Sequence, residues 1–354
     1  LSGKEEATAY LESRRFTEPM LVFAIMVIAG TRPILNFTAS VAQFVAGCLP
    51  MNRGMASYFL VLTFVPLMGS FITEPAAMTL AALILRDTFF TETVSRNLKY
   101  ATVGVLFVNI SIGGTLTHFA APPVLMVAEK WNWDTWFMLS TFGWKAALAV
   151  IINAGTAMLV FRRQLSEMGQ RPLIAILPVP LPMVIVHLLF LVTVVLFAHH
   201  HTVFLGVLLF FLGFATAYQR HQNPLILREA LLVGFFLGGL VVLGGQQRWW
   251  LEPLLTGMST ETVFFGATAL TAITDNAALT YLASLVEGLS PEFKQALVAG
   301  AVSGGGLTVI ANAPNPAGFA ILRRKFEDDT IHPFGLLVAA APPTVVAMLA
   351  FRIL

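Results

Sequence analysis

The sequence contains one cysteine, Cys48, which excludes an internal disulfide and any cysteine-based metal cluster. Charge is also scarce. Asp, Glu, Lys and Arg make up 11% of the 354 residues, against about 25% in a soluble domain. With 57% hydrophobic residues and a mean hydropathy of +0.79, an aqueous globular fold is excluded. The net charge is only +2, and the basic residues lie between apolar runs, so no nucleic-acid patch is present. No cleavable signal sequence is expected. The chain opens at Leu1 on a polar segment, 1–17, and further residues, with the possibility of further helices, are expected upstream.

What is present is apolar sequence long enough to enter a bilayer many times. The expected surroundings are therefore lipid, and nearly every segment should be helical. The pattern predicts an all-α polytopic membrane protein with ten membrane elements. Single helices are expected over 18–31, 136–161, 181–198, 202–218, 230–245 and 334–353. The segments 33–48 and 246–262 read as interfacial, the second through its Trp249-Trp250 pair. The other four elements carry interruptions. The stretch 57–86 is broken by Thr73-Glu74-Pro75, because Pro donates no backbone hydrogen bond and disfavours helix before it. A re-entrant hairpin with its tip at 73–75 is expected there, followed by a broken helix over 100–130. A second hairpin, 263–287 with its tip at 274–276, precedes a second broken helix, 295–322.

The interruptions repeat a motif. Thr73-Glu74-Pro75-Ala76-Ala77-Met78-Thr79 is matched by Thr274-Asp275-Asn276-Ala277-Ala278-Leu279-Thr280. Each copy is followed by a glycine-rich break, GGTLTHFAAPP from Gly113 and GGGLTVIANAP from Gly304. A carboxylate at bilayer depth is expensive, so a chain that places two at matching positions is expected to use them. The order helix, interfacial segment, hairpin, broken helix, helix fills 18–161 and recurs over 230–354, with 162–229 as a linker and connecting helix pair.

Counting crossings puts Arg32, Arg53, Arg86, Arg96, Lys99, Arg162, Arg163, Arg171, Arg220, Arg228, Arg323, Arg324 and Lys325 on one face. These are thirteen of the 21 Lys and Arg, and they mark the inside. The two hairpins then enter from opposite faces, which makes the halves inverted repeats, as in many secondary transporters.

Two interrupted hairpins, each followed by a Gly/Pro-broken helix, resemble the Ion Transporter superfamily. The phrase SIGGTLTHFAAPPVLM (Ser111 to Met126) is similar to that group's loop after the first hairpin, and TDNAALTYLASLV (Thr274 to Val286) to the second hairpin of its antiporter branch. Over nearly its whole length the chain looks most like the sodium/proton antiporters of the group, the NhaD-like branch. The resemblance implies exchange of sodium or a similar cation for protons by alternating access, of elevator type, in a homodimer. The implied location is the cell (inner) membrane, with several crossings. In the dicarboxylate branch both tips read Ser-Asn-Thr without an acid. Carboxylates here attract a cation and repel an anion, which favours the cation branch.

The chemistry follows from the residue types. Hairpin tips and helix breaks expose unsatisfied backbone groups, and Asp, Asn and Thr oxygens suit a small hard cation. Asp275, Asn276, Asn312 and Asn315 supply such oxygens, with Thr274 and Thr280 adding hydroxyls; Asp275, Asn276 and Asn312 are the expected sodium ligands. Glu74, Thr73, Thr115, Thr117 and His118 occupy corresponding ground in the first half. A carboxylate that holds either a proton or a cation is enough for exchange. Asp275 ranks first, because Asn276 beside it is a ligand and Pro75 beside Glu74 is not. No cofactor is expected, and sodium enters as a transported substrate.

Plainer readings stand beside these. Either acid can cap a half-helix. His118 is a proton relay, a pH sensor or a structural histidine, and His199-His200-His201 reads as interfacial. His187 reads as packing and Lys145 as snorkelling. Asn109 and Asn153 read as bonds between helices. An anion or arsenite permease of the same fold is the alternative within transport. An intramembrane aspartyl protease is the alternative outside it.

Overall fold

The computed structural model describes residues 3–91, 94–168 and 179–354, so Arg171 and part of the 162–229 linker lie outside the described residues. Among the described residues every regular element is a helix. After α1 (Lys4–Glu12), α2 (Thr17–Ala29) and α3 (Arg32–Cys48) meet at a 68° bend. Next, α4 (Arg53–Leu62) and α5 (Phe64–Ile72) form one 20-residue apolar run. A reversal at Thr73 leads into α6 (Glu74–Ile84), which a π-helical turn extends to Phe89. The first broken helix is α7 (Arg96–Gly113), a 3-10 turn at Gly114–Leu116 and α8 (Pro122–Trp131). Then α9 (Thr135–Met138), a π turn and α10 (Trp144–Val160) make a 26-residue span.

After α11 (Arg162–Glu167), α12 (Leu181–Leu196) and α13 (His201–Ala217) pair with each other and pack on α2. The second half runs α14 (Leu227–Gly244), α15 (Arg248–Thr256), α16 (Thr260–Thr271), α17 (Asn276–Ser284), α18 (Pro291–Gly304), α19 (Asn315–Leu322) and α20 (Pro333–Ile353). Five of these runs are long and apolar enough to cross a membrane, six if α2 and α3 count as one bent span.

Local chemistry sets the boundaries. Ser95, Ser259 and Ser290 cap α7, α16 and α18 with their hydroxyls. Proline in the first turn opens α8, α18, α19 and α20, where its missing N–H costs nothing. Both broken helices stop on consecutive glycines and resume at a proline or just after one.

The two helix–turn–helix units differ. The arms α5 and α6 lie against each other, with Gly69 facing the Ala77 methyl. The arms α16 and α17 separate. Glycines explain this, because Gly300 and Gly304 of α18 let α16 approach until the carbonyls of Phe264 and Thr268 fill the space a Cβ would need. Drawn onto α18, α16 leaves α17 to pack on α8. In the other half, α6 packs on α19, where Gly318 faces the Met78 sulfur. Each second arm therefore rests on the far segment of the opposite half's broken helix.

The two broken helices cross where they break. A Cβ on Gly306 would strike the backbone of Val108, and one on Gly305 would strike the Ser111 hydroxyl. Around this crossing α10 and α20 pack on α7, joined by polar bonds as expected. Asn109 donates to the Leu62 carbonyl at 2.7 Å, and Asn153 donates to the Asn109 side chain at 2.9 Å. His187 is buried between Phe211 and Phe214, with its ring nitrogens on the Met183 carbonyl and Gln222. The histidine run, read as interfacial, meets an acid distant in sequence. His199 Nδ1 lies 3.9 Å from Glu129, brought there from α8.

Because backbone fills the space at Gly306, Gly306→Ala is expected to lose roughly 1–3 kcal/mol of stability by overpacking. Gly206→Ala, on a part of α13 with open space around it, is expected to cost nothing. Thermal unfolding of both variants in the same detergent checks the contrast.

Candidate cation site

The crossing brings together the residues that the repeated motif singles out. Glu74 is the first residue of α6 and is fully buried. Its Oε2 accepts a 2.8 Å hydrogen bond from Asn312 Nδ2, from the opposite half's break, and its Oε1 has no partner. Gly114 lies directly under the carboxylate, and a Cβ there would come within 2.7 Å of the Glu74 Cγ. Asp275 stands at a tip held by the same break, since Asn276 beside it donates to the carbonyl of Ala311, one residue before Asn312.

The acids are placed differently despite their matching motifs. Asp275 stands one position before α17 and caps it, its Oδ1 accepting from the N–H groups of Ala277 at 2.8 Å and Ala278 at 3.2 Å. Glu74 caps nothing. Thr73 takes the cap position before α6 with φ 74° and ψ 149°, a region that β-branched residues rarely enter. That turn starts the helix one residue earlier relative to the motif, and Ala77 N–H goes to the Thr73 carbonyl instead. The capping alternative thus describes the position of Asp275 and not that of Glu74.

Around the acids, several buried oxygens lack partners: those of Thr73, Asn276, Asn312 and Asn315, together with the Thr271 hydroxyl. The Asn276 amide N–H donates to the Ala311 carbonyl at 3.1 Å, tying the second tip to the second break, and its side chain reaches Ser111 at 3.5 Å. Asn315 staples the second break internally, donating to the carbonyls of Gly305 and Thr308 at 2.7 and 2.8 Å.

The remaining residues of the sequence reading are engaged elsewhere. Thr280 and Thr274 donate to carbonyls of their own turns. Thr115 donates to Ile112, and Thr117 to the Ser70 carbonyl at 2.6 Å. His118 is half-buried and bonds Thr135 at 2.8 Å.

Over residues 1–354 the sequence matches the family described as "Putative Na+/H+ antiporter". The chain belongs to that family. It is accordingly a membrane transport protein of the cation/proton antiport type and not an enzyme, which removes the protease alternative. A search among curated proteins gave no match to the chain.

Three residues of this antiporter-family chain escaped the sequence reading. Ser70 organises the first break, donating to the Gly113 carbonyl at 2.7 Å and accepting from Leu116 N–H at 2.9 Å. Ser111 links the crossing, donating to the Val302 carbonyl at 2.7 Å. Thr271 offers a buried hydroxyl oxygen at the end of α16. Ser70 lies four residues before Glu74 and Ser111 two residues before the Gly113-Gly114 pair, and those spacings were the available signals. A cleft of about 430 Å³ opens between the ends of α8 and α17, lined by Glu129, Tyr281 and Ser284, with Glu18 of α2.

Loss of the cap distinguishes the two roles of Asp275. Asp275→Ala is expected to cost about 1 kcal/mol, and Asp275→Asn much less, because an asparagine oxygen caps equally well. Thermal unfolding of the two variants measures the difference.

Proposed function

We propose that the protein exchanges sodium, or a similar monovalent cation, for protons, with Glu74 as the principal competing carboxylate and Asp275 as its assistant. The observation that carries this reading is the division of labour within one carboxyl group. Oε2 of Glu74 is held by Asn312, and Oε1 is buried with no partner. A protonated carboxyl keeps a carbonyl oxygen as acceptor, so the bond from Asn312 survives protonation on Oε1. A cation binding to the carboxylate also has Oε1 to bind. Proton and cation then compete for one atom, and a site that holds one excludes the other.

The donors near Glu74 suit a hard cation. The Thr73 hydroxyl, the Asn312 carboxamide oxygen and the Asn276 oxygen are neutral, buried and unpartnered. The sequence reading ranked Asp275 first. The geometry favours Glu74, because the Asp275 carboxylate already serves two N–H groups. Asp275 also carries negative charge at a helix N-terminus, where that charge is stabilised without a cation.

The reciprocal packing of α6 on α19 and α17 on α8 supports an inverted repeat of the Ion Transporter kind, NhaD-like in its second hairpin. In this reading the hairpins are re-entrant, and the helix pairs outside the crossing belong to a scaffold. The protein works as an elevator-type homodimer in the cell (inner) membrane.

Proteoliposomes loaded with a pH-sensitive dye test the assignment. Glu74→Gln is expected to reduce sodium-driven proton movement to the leak of empty vesicles. Asn312→Ala, which strips a hydrogen bond from a charged group, is expected to weaken apparent cation affinity roughly tenfold. Asp275→Asn is expected to slow exchange while the protein stays folded. Normal transport by Glu74→Gln would end the proposal, and complete loss in Asp275→Asn alone would return the principal role to Asp275.

A further inference from the structure

A second cavity lies apart from the crossing. Its volume is about 440 Å³, and it opens between the start of α7, the end of the π turn after α6 and the segment that follows α19. Arg96, Lys99, Arg324 and Lys325 line it, against one acidic residue, Glu327, among the described residues. Its apolar wall is aromatic: the Phe326 ring meets Phe90 at 5.9 Å and Tyr100 at 5.0 Å, both edge-on.

Three features suit a phosphate-bearing anion that also carries hydrocarbon. The first is charge. Arg324 and Lys325 are exposed and form no ion pair among the described residues. Glu327, the one acid among the described residues of the lining, meets Arg96 at 3.6 Å with both side chains exposed, a weak pair that an incoming anion can replace. The second is the 18-residue helix α7, whose first turn borders the cavity and whose dipole favours negative charge there. The third is location. These four basic residues belong to the set that marks the inner face, where anionic headgroups accumulate, and the aromatic wall offers apolar surface beside them.

We propose that this cavity binds the phosphate headgroup of an acidic phospholipid, with Arg324 and Lys325 as the principal anchors and the aromatic wall against the glycerol and upper acyl chain. A lipid seated here touches the end of the first hairpin and the end of the second broken helix together. The inference stands independently of which carboxylate handles the cation.

Native mass spectrometry of the full chain, released from mixed phosphatidylglycerol and phosphatidylcholine nanodiscs, tests it. Wild type is expected to retain phosphatidylglycerol preferentially. The Arg324→Gln/Lys325→Gln variant is expected to lose that preference by about tenfold, the scale of two basic side chains at an anionic surface. Arg162→Gln/Arg163→Gln removes equal charge from the same face outside the cavity and is expected to keep it. Equal losses in the two variants would overturn the proposal, since general surface charge would then account for the lipid. A second arm adds inorganic phosphate to protein in phosphatidylcholine alone. Thermal protection of wild type by millimolar phosphate, absent in Arg324→Gln/Lys325→Gln, would assign the cavity to a free anion and overturn the lipid assignment. No protection leaves phosphatidylglycerol as the ligand. Unfolding temperatures of both variants in phosphatidylcholine are expected to match wild type, because the altered side chains are exposed.

Discussion

A carboxylate removed from water has to be offset locally, and the interior of this protein is arranged around that requirement at Glu74. One oxygen is met by a side-chain amide from the opposite half of the chain, and the other is left open. An unsatisfied buried acceptor is costly, and structures retain few of them. Several gather here, on Thr73, Glu74, Asn276, Asn312 and Asn315, all at turns or breaks. The strained backbone at Thr73 belongs to the same arrangement, because it turns the Glu74 side chain inward instead of leaving it to cap α6.

Glycine makes the crossing possible. At Gly305 and Gly306 the second break passes so close to Val108 and Ser111 that no side chain fits, and at Gly114 the carboxylate of Glu74 takes the vacant space. The breaks are held by side-chain bonds to backbone, Ser70 in the first and Asn315 in the second. Irregular backbone at this depth is tolerated because protein groups cover it. The result is a polar junction walled by packed helices, with positions fixed on both sides.

The architecture was largely legible in the sequence, because lipid leaves few options. Apolar runs gave the helices, and Thr73-Glu74-Pro75, Thr274-Asp275-Asn276 and the two glycine-rich phrases gave the interruptions within a residue or two. The pairing of Glu74 with Asn312, 238 positions apart, was not legible, because it depends on which helix faces which. The contrast between the two acids was also hidden. Equivalent positions in a motif do not fix helix phase, and a one-residue difference in where the helix begins converts a capping side chain into an inward one. The separation of α16 from α17 likewise follows from Gly300 and Gly304, glycines whose partner lies in another helix.

The exchange of packing partners, α6 on α19 and α17 on α8, has a consequence for biosynthesis. A chain made from its N-terminus completes α6 and α8 long before α19 and α17 exist. Until then the Glu74 carboxylate lacks its amide and the broken helix lacks its cover. The first half therefore waits in the membrane as an unfinished surface, and the last third of the chain acts as the template that closes it. The junction draws on residues of both halves, so it comes into being only after α19 has been made.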